Sequence, residues 1–227
     1  MKKVLDFCIN MWYTYRNDFF IFARMFMIEI KKLKTIIPYA SNSYLISSGQ
    51  ECAVVDPSGP FDPKQLDGKD LKYILLTHGH FDHFLEIDSW AESTNAKVII
   101  SKNDREYLAD SHKNCYSLFL YRDHGYYGES STVSEGDTLP LGDEHITVSE
   151  YPGHTVGSVV YTVGKDAFVG DVAFAGGGYG RFDLPGGNMN ALMQSLERII
   201  HLDDNTVLYP GHGDITTVAD YKKHLYY

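Results

Sequence analysis

Three histidines and an aspartate fall within one short stretch, His78-Gly79-His80-Phe81-Asp82-His83. Imidazole nitrogens and carboxylate oxygens are the donor types that suit zinc, iron and related ions. On extended backbone the HxH spacing sends His78 and His80 the same way, because side chains alternate with period two. Asp82 and His83 are adjacent, so in a tight turn they face a second destination. The spacing therefore argues for two metal positions, and two ions need more donors than this segment holds. Three later residues have the right type and setting. His154 lies in YPGHTVGS, Asp171 ends DAFVGD, and His212 lies in YPGHGD. Each follows an apolar run that reads as a strand.

The elements that must position these residues follow from periodicity. IEIKKLKTII, NSYLIS, ECAVVD, KYILL and KVIIS are short β-rich runs separated by turn residues. KYILL delivers the histidine motif at its C-terminal end. A helix is expected from Phe84 to about Asn95, and a short one near Asn103–Asp110. Residues 111–134 are polar and aromatic without a period and read as a substrate-facing loop. In the second half, GDTLPLGDEHITVSEYPGHT reads as a hairpin and a loop, and GSVVYTVGKDAFVGD as two strands around a turn. NMNALMQSLERIIHL places Leu192, Leu196, Ile199 and Ile200 on one helical face. A last strand in NTVLYPGHGD and a helix over Val218–His224 follow. Two β-rich halves, each flanked by helices, imply an α/β fold with four αββα layers.

The 227 residues suit one domain, residues 27–227, with an N-terminal extension over residues 1–26. The extension has apolar residues at helical spacing and reads as a helix packed on the domain, or as sequence upstream of a native start at Met25 or Met27. The formal net charge of −10 argues against a nucleic-acid partner. Cys8, Cys52 and Cys115 are few, odd in number and far apart, which argues against a disulfide framework and for a reducing cytoplasm. No run reaches the roughly 20 apolar residues of a membrane span, so no membrane partner is expected. The sequence does not give the oligomeric state.

The order HxHxDH, PGHTxGS, GD, PGHG resembles the metallo-β-lactamase-fold hydrolases. Within them, GDVAFAGGGYGRFDLPGG looks like hydroxyacylglutathione hydrolase (glyoxalase II) and its single-domain relatives. The resemblance implies a two-metal centre, most simply of zinc, with iron or manganese as alternatives. His78, His80 and His154 would hold one ion, and Asp82, His83 and His212 the other. Asp171 would bridge them, which makes Asp82 and Asp171 the carboxylates closest to the chemistry. Water bridging two such ions ionises near neutrality and attacks a carbonyl. A thioester suits this, since a thiolate leaves without a general acid. The implied substrate is a small-molecule thioester or ester.

Asp56 in VVDPSG stands at the position of the family's first motif aspartate and reads as orienting a ligand. Thr155 and Ser158 are expected to tie the His154 loop. Arg181 matches a characteristic arginine and is expected to neutralise buried carboxylates or to meet substrate. Tyr126, Tyr127 and Phe182 are candidate pocket residues. Glyoxalase II proper adds a C-terminal helical domain that helps hold glutathione; this sequence runs 15 residues past His212, so glutathione recognition is not carried over. Phe84-Leu85 replaces the small-Gly pair of many relatives and is expected to shift the next helix or wall the pocket. The rival readings are a mononuclear iron persulfide dioxygenase, using the residues matching His78, His154 and Asp171, and, further off, a nuclease or phosphodiesterase.

Overall fold

The computed structural model describes residues 28–35 and 37–225; the expected N-terminal helix lies outside them. Twelve strands form two six-stranded sheets. In the first, β1 (Ile28–Leu33), β2 (Ser43–Ser48) and β3 (Glu51–Val55) run antiparallel. Then β4 (Asp70–Leu75), β5 (Lys97–Ser101) and β6 (Ser131–Val133) continue the sheet in parallel from β3. In the second, β7 (Thr138–Leu141), β8 (Glu144–Glu150), β9 (Val159–Val163) and β10 (Asp166–Gly170) form an antiparallel meander. β11 (Val207–Pro210) joins β10 in parallel, and β12 (Thr216–Thr217) caps the edge.

The sheets pack face to face over Tyr44, Ile46, Val55 and Leu75 from one and Ile146, Val148, Val159, Tyr161 and Phe168 from the other. Tyr44 and Tyr161 are fully buried, so each hydroxyl needs a partner. Tyr44 donates to the Pro210 carbonyl at 2.8 Å and Tyr161 to that of Leu76 at 3.0 Å. Each bond crosses the core to the end of a strand that launches a ligand-bearing loop. The outer face of the first sheet is covered by α1 (Ile87–Ser93), whose Trp90 is wholly buried. α2 (Tyr116–Leu120) lies beyond it. The outer face of the second sheet carries α3 (Met189–Ile200), with Leu192, Leu196 and Ile199 inward, and α4 (Val218–His224). The αββα order expected from the sequence is the observed one.

α1 is shorter than its apolar pattern suggests. Residues 81–83 form a 3₁₀ turn, and Phe84 leaves it with φ −136°, outside the helical region. That turn aims Asp82 and His83, so the helix cannot start before it ends. Thr94, at φ −135° and ψ 170°, stops the helix two residues early. Phe84 is buried in the core over the first sheet and Leu85 packs against the same cluster. The expectation that this pair walls the pocket is thereby corrected; Phe81 does so instead. Residues 111–134 are not one loop either, since α2 and β6 lie within them.

Candidate metal centre

Four strand ends converge at one edge of the sandwich. β4 leads into Thr77 and the histidine motif, β8 into the His154 loop, β10 into Asp171 and β11 into His212. His78, His80 and His154 are buried. Their facing nitrogens, His78 Nε2, His80 Nδ1 and His154 Nε2, form a triangle with sides of 3.1, 2.9 and 3.2 Å. Nitrogens around one tetrahedral zinc at 2.0–2.1 Å stand about 3.3 Å apart, so the triangle is close to metal spacing. Beside it, His212 Nε2 lies 3.0 Å and His83 Nε2 3.8 Å from Asp82 Oδ2. Asp171 stands between the two trios. Its Oδ1 is 3.3 Å from His83 Nε2, and its Oδ2 is 3.6 Å from both His154 Nε2 and His212 Nε2.

The far sides of three of the rings are also fixed. Thr77 Oγ1 donates to Asp56 Oδ2 at 2.8 Å, so it accepts from His78 Nδ1 at 3.1 Å. His83 Nδ1 donates to the same Asp56 oxygen at 2.8 Å. His154 Nδ1 donates to the Arg181 carbonyl at 2.7 Å. In each case the outer nitrogen donates, which turns the inner nitrogen toward the space a cation would fill. Asp56 holds its place by also accepting from the Thr77 amide, and its own backbone is left-handed, with φ 51°.

Electrostatics favour cations here. Burial, reinforced by neighbouring rings, keeps His78 and His80 neutral, pulling His80 down to about 3. Burial would raise the Asp82 and Asp171 carboxyls, but the surrounding histidines outweigh it and hold both below their ordinary values. Burial opposes a charge on His83, yet Asp56, Asp171 and Asp82 push it well above the usual imidazole range. The pocket of carboxylates thus draws a proton onto His83 where a metal would otherwise supply positive charge. His83 Nε2 and Asp171 Oδ1 are buried and without a hydrogen-bond partner. An orphaned buried polar atom costs about 1–3 kcal/mol. A divalent cation satisfies both at once, so the donors fit the metals that the motif implies.

The other expected residues divide. Thr155 and Ser158 are buried, and the Ser158 hydroxyl accepts from the Thr155 amide at 3.1 Å. Arg181 serves through its carbonyl. Its half-exposed guanidinium forms a two-pronged pair with Asp183 and neutralises no buried carboxylate, which corrects that expectation. Tyr126 is buried against the core of the first sheet, and Tyr127 is exposed beside a separate cavity bounded by α1 and the edge of β5. The Tyr126 amide donates to the Leu108 carbonyl and draws the chain toward β6, away from the centre. Phe182 packs on the α3 layer. None of these three rings lines the cavity at the ligands, so all three pocket assignments are corrected. Cys115 does line it, but burial and the Asp82 charge push its thiol up to about 12, which excludes a thiolate nucleophile near neutrality.

Besides Thr77, two supporting residues escaped the sequence reading. Asp104, fully buried after β5, accepts from the amides of Gly79 and Gly157 and from the Thr155 hydroxyl, at 2.9, 2.7 and 2.6 Å. It ties the HxH loop to the His154 loop. Asn42 donates through its backbone to Gly211 and through its side chain to the Pro210 and Gly213 carbonyls. It clasps the His212 loop. Neither sits in a motif; the one available signal was a polar residue just outside an apolar strand.

Fold and centre together are of the metallo-β-lactamase type, and the model of the metallo-β-lactamase superfamily matches residues 36–212. The chain belongs to that superfamily. It is 34% identical over 196 residues to the probable metallo-hydrolase YqgX of Bacillus subtilis, covering 80% of this chain and 89% of that one. It is 33% identical over 200 residues to the uncharacterized protein Rv2581c of Mycobacterium tuberculosis, covering 79% and 89%. Among solved structures, the B3 metallo-β-lactamase BLEG-1 superposes with a TM-score of 0.79 at 29% identity, over 87% of this chain and 98% of that one. A di-iron-bound form of TTHA1623 gives 0.73 at 28%, over 86% and 98%. ETHE1 from Myxococcus xanthus gives 0.68 at 27%, over 87% and 83%.

Proposed function

We propose that this chain hydrolyses a thioester, or a related ester, at a two-metal centre. The observation that carries the reading is the placement of Asp171 between two complete donor trios. His78, His80 and His154 would hold one ion and Asp82, His83 and His212 the other. When bound, such a pair supplies a water that ionises near neutral pH and a Lewis acid for the carbonyl oxygen. The protein fixes the rest. Asp56, Thr77 and the Arg181 carbonyl orient three imidazoles, and Asp82 and Asp171 stay ionised across the working pH range. A thiolate leaving group, with a pKa of about 8.5, needs no protein acid. That suits a cavity whose thiol is locked in its protonated form and whose aspartates face the donor cluster.

The similarity to ETHE1 supports a second reading, an iron-dependent persulfide dioxygenase that uses the trio matching His78, His154 and Asp171. The assembled second trio favours hydrolysis. Zinc is the simplest occupant, with iron the first alternative, given the di-iron form of TTHA1623. Elemental analysis of purified protein, with assays on lactoylglutathione, simple thioesters, a lactone and glutathione persulfide, tests the proposal. Two metal equivalents and thioester cleavage are expected. One iron per chain with persulfide-dependent oxygen uptake and no thioester turnover overturns it.

A further inference from the structure

The centre opens into a cavity of about 580 Å³, within the range of small-molecule sites. Its floor is the polar donor cluster, and its walls are of another character. Tyr39, Phe81, Phe119, Leu120, Phe174 and Leu184 supply them. Phe81 sits at the middle, its ring centroid 6.3 Å from those of both Tyr39 and Phe119. Phe174 stands edge-on to the His212 ring at 6.1 Å. Tyr39 and Phe119 are 51% and 48% exposed. Large aromatic rings left open beside a reacting centre mark a surface that an apolar ligand covers.

The described walls carry little positive charge. The cation among the lining residues, Arg181, is held by Asp183 through bonds of 2.8 and 2.7 Å. Its guanidinium carbon also lies 5.8 Å from the centroid of the Phe119 ring. A glutathione conjugate carries two carboxylates and an ammonium, and each must keep water or find a partner on entering the cavity. Among the described lining residues no lysine or second arginine offers one.

We infer that the substrate of this centre is a thioester of an uncharged, apolar acyl group, aromatic or medium-chain, and not a glutathione conjugate. The inference rests on the hydrolase reading above and narrows it. The acyl chain lies along the Phe81–Phe119 wall while the carbonyl faces the donor cluster.

The test uses metal-loaded protein and N-acetylcysteamine thioesters that share one neutral thiol and differ in acyl group: acetyl, butyryl, hexanoyl and phenylacetyl, with lactoylglutathione alongside. Burial of a methylene contributes about 0.8 kcal/mol, a factor of about four. kcat/KM should therefore rise on the order of a hundredfold from acetyl to hexanoyl, through KM more than kcat. Phe119→Ala should cut the hexanoyl-to-acetyl ratio about tenfold, and Phe119→Leu should restore most of it. Ketone analogues with methylene in place of sulfur are measured in parallel by calorimetry, since they bind whether or not thioesters are cleaved. A flat acyl series, or lactoylglutathione as the best substrate, overturns the inference and leaves the hydrolase reading standing. Tight binding of the hexanoyl ketone without turnover of any thioester sinks the hydrolase reading and retains the apolar site.

Discussion

At the scale of single residues, the centre is made as much by atoms facing away from it as by the donors. Asp56 holds both the Thr77 hydroxyl behind His78 and the Nδ1 of His83, so it reaches into both trios. Asp56→Asn should weaken metal binding about 10- to 100-fold, read by competition with a chromogenic chelator. An unchanged affinity would show that the ring orientations are set elsewhere. Cys52 gives a check on the packing itself. Burial pushes its thiol from 9.0 up to about 12, with the nearby Lys69 only partly opposing. The folded chain then keeps the proton that the unfolded chain loses above pH 9, so this group's share of stability falls as pH rises from 9 through 12. Iodoacetamide at pH 8 should leave Cys52 unmodified in folded protein and alkylate it in urea, as read by peptide mass spectrometry. The seven clustered histidines and aspartates were legible because each stands in a short local pattern. Asp104, Asn42, Phe119 and Phe174 were not, because their roles exist only after segments far apart in sequence meet.

At the scale of elements, the strand ends were legible and the helix starts less so. Short β-rich runs separated by turn residues matched β2, β3, β5, β9 and β10 close to their observed bounds. The apolar residues after His83 suggested a helix from Phe84, but the turn that aims Asp82 and His83 takes precedence. The substrate-facing loop was half legible: α2 brings Phe119 and Leu120 to the cavity, while Tyr126 and Tyr127 follow β6 away from it. The loop after β11 shows how tightly element geometry limits the site. A Cβ on Gly211 would stand 2.3 Å from Asp171 Oδ1 and 2.5 Å from His83 Cε1. Gly211→Ala must therefore displace the Asp171 carboxylate or the loop. We expect it to lower metal content from two equivalents toward one and activity by at least tenfold, with the far-ultraviolet circular dichroism spectrum retained. Full metal content with wild-type turnover would show that the two trios do not approach as described.

At the scale of the whole molecule, the two sheets meet along Tyr44, Tyr161 and the apolar residues between them, and the donors straddle that seam. His78, His80, Asp82 and His83 come from the first sheet's side, and His154, Asp171 and His212 from the second's. Metal bound by both sides stabilises the folded chain alone. With free metal at a thousand times its dissociation constant, one site adds about 4 kcal/mol. Removing metal with a chelator should lower the melting temperature by several degrees, and zinc should restore it. Equal melting temperatures with and without metal would contradict a centre spanning the two halves. The layer order was legible because each half mixes strands and helices. The seam was not, because no local pattern says which strand face meets the other sheet.

The clasp of Asn42 on the His212 loop also bears on how the molecule comes into being. Its side chain reaches the Pro210 carbonyl across 168 residues of chain. Contacts of such sequence separation form late, because the closure entropy comes before their reward. A nascent chain with only its first half released exposes four metal donors with no counterpart to share an ion. On the two-trio proposal, neither donor set would be complete until the His154 and His212 loops had docked on the first half.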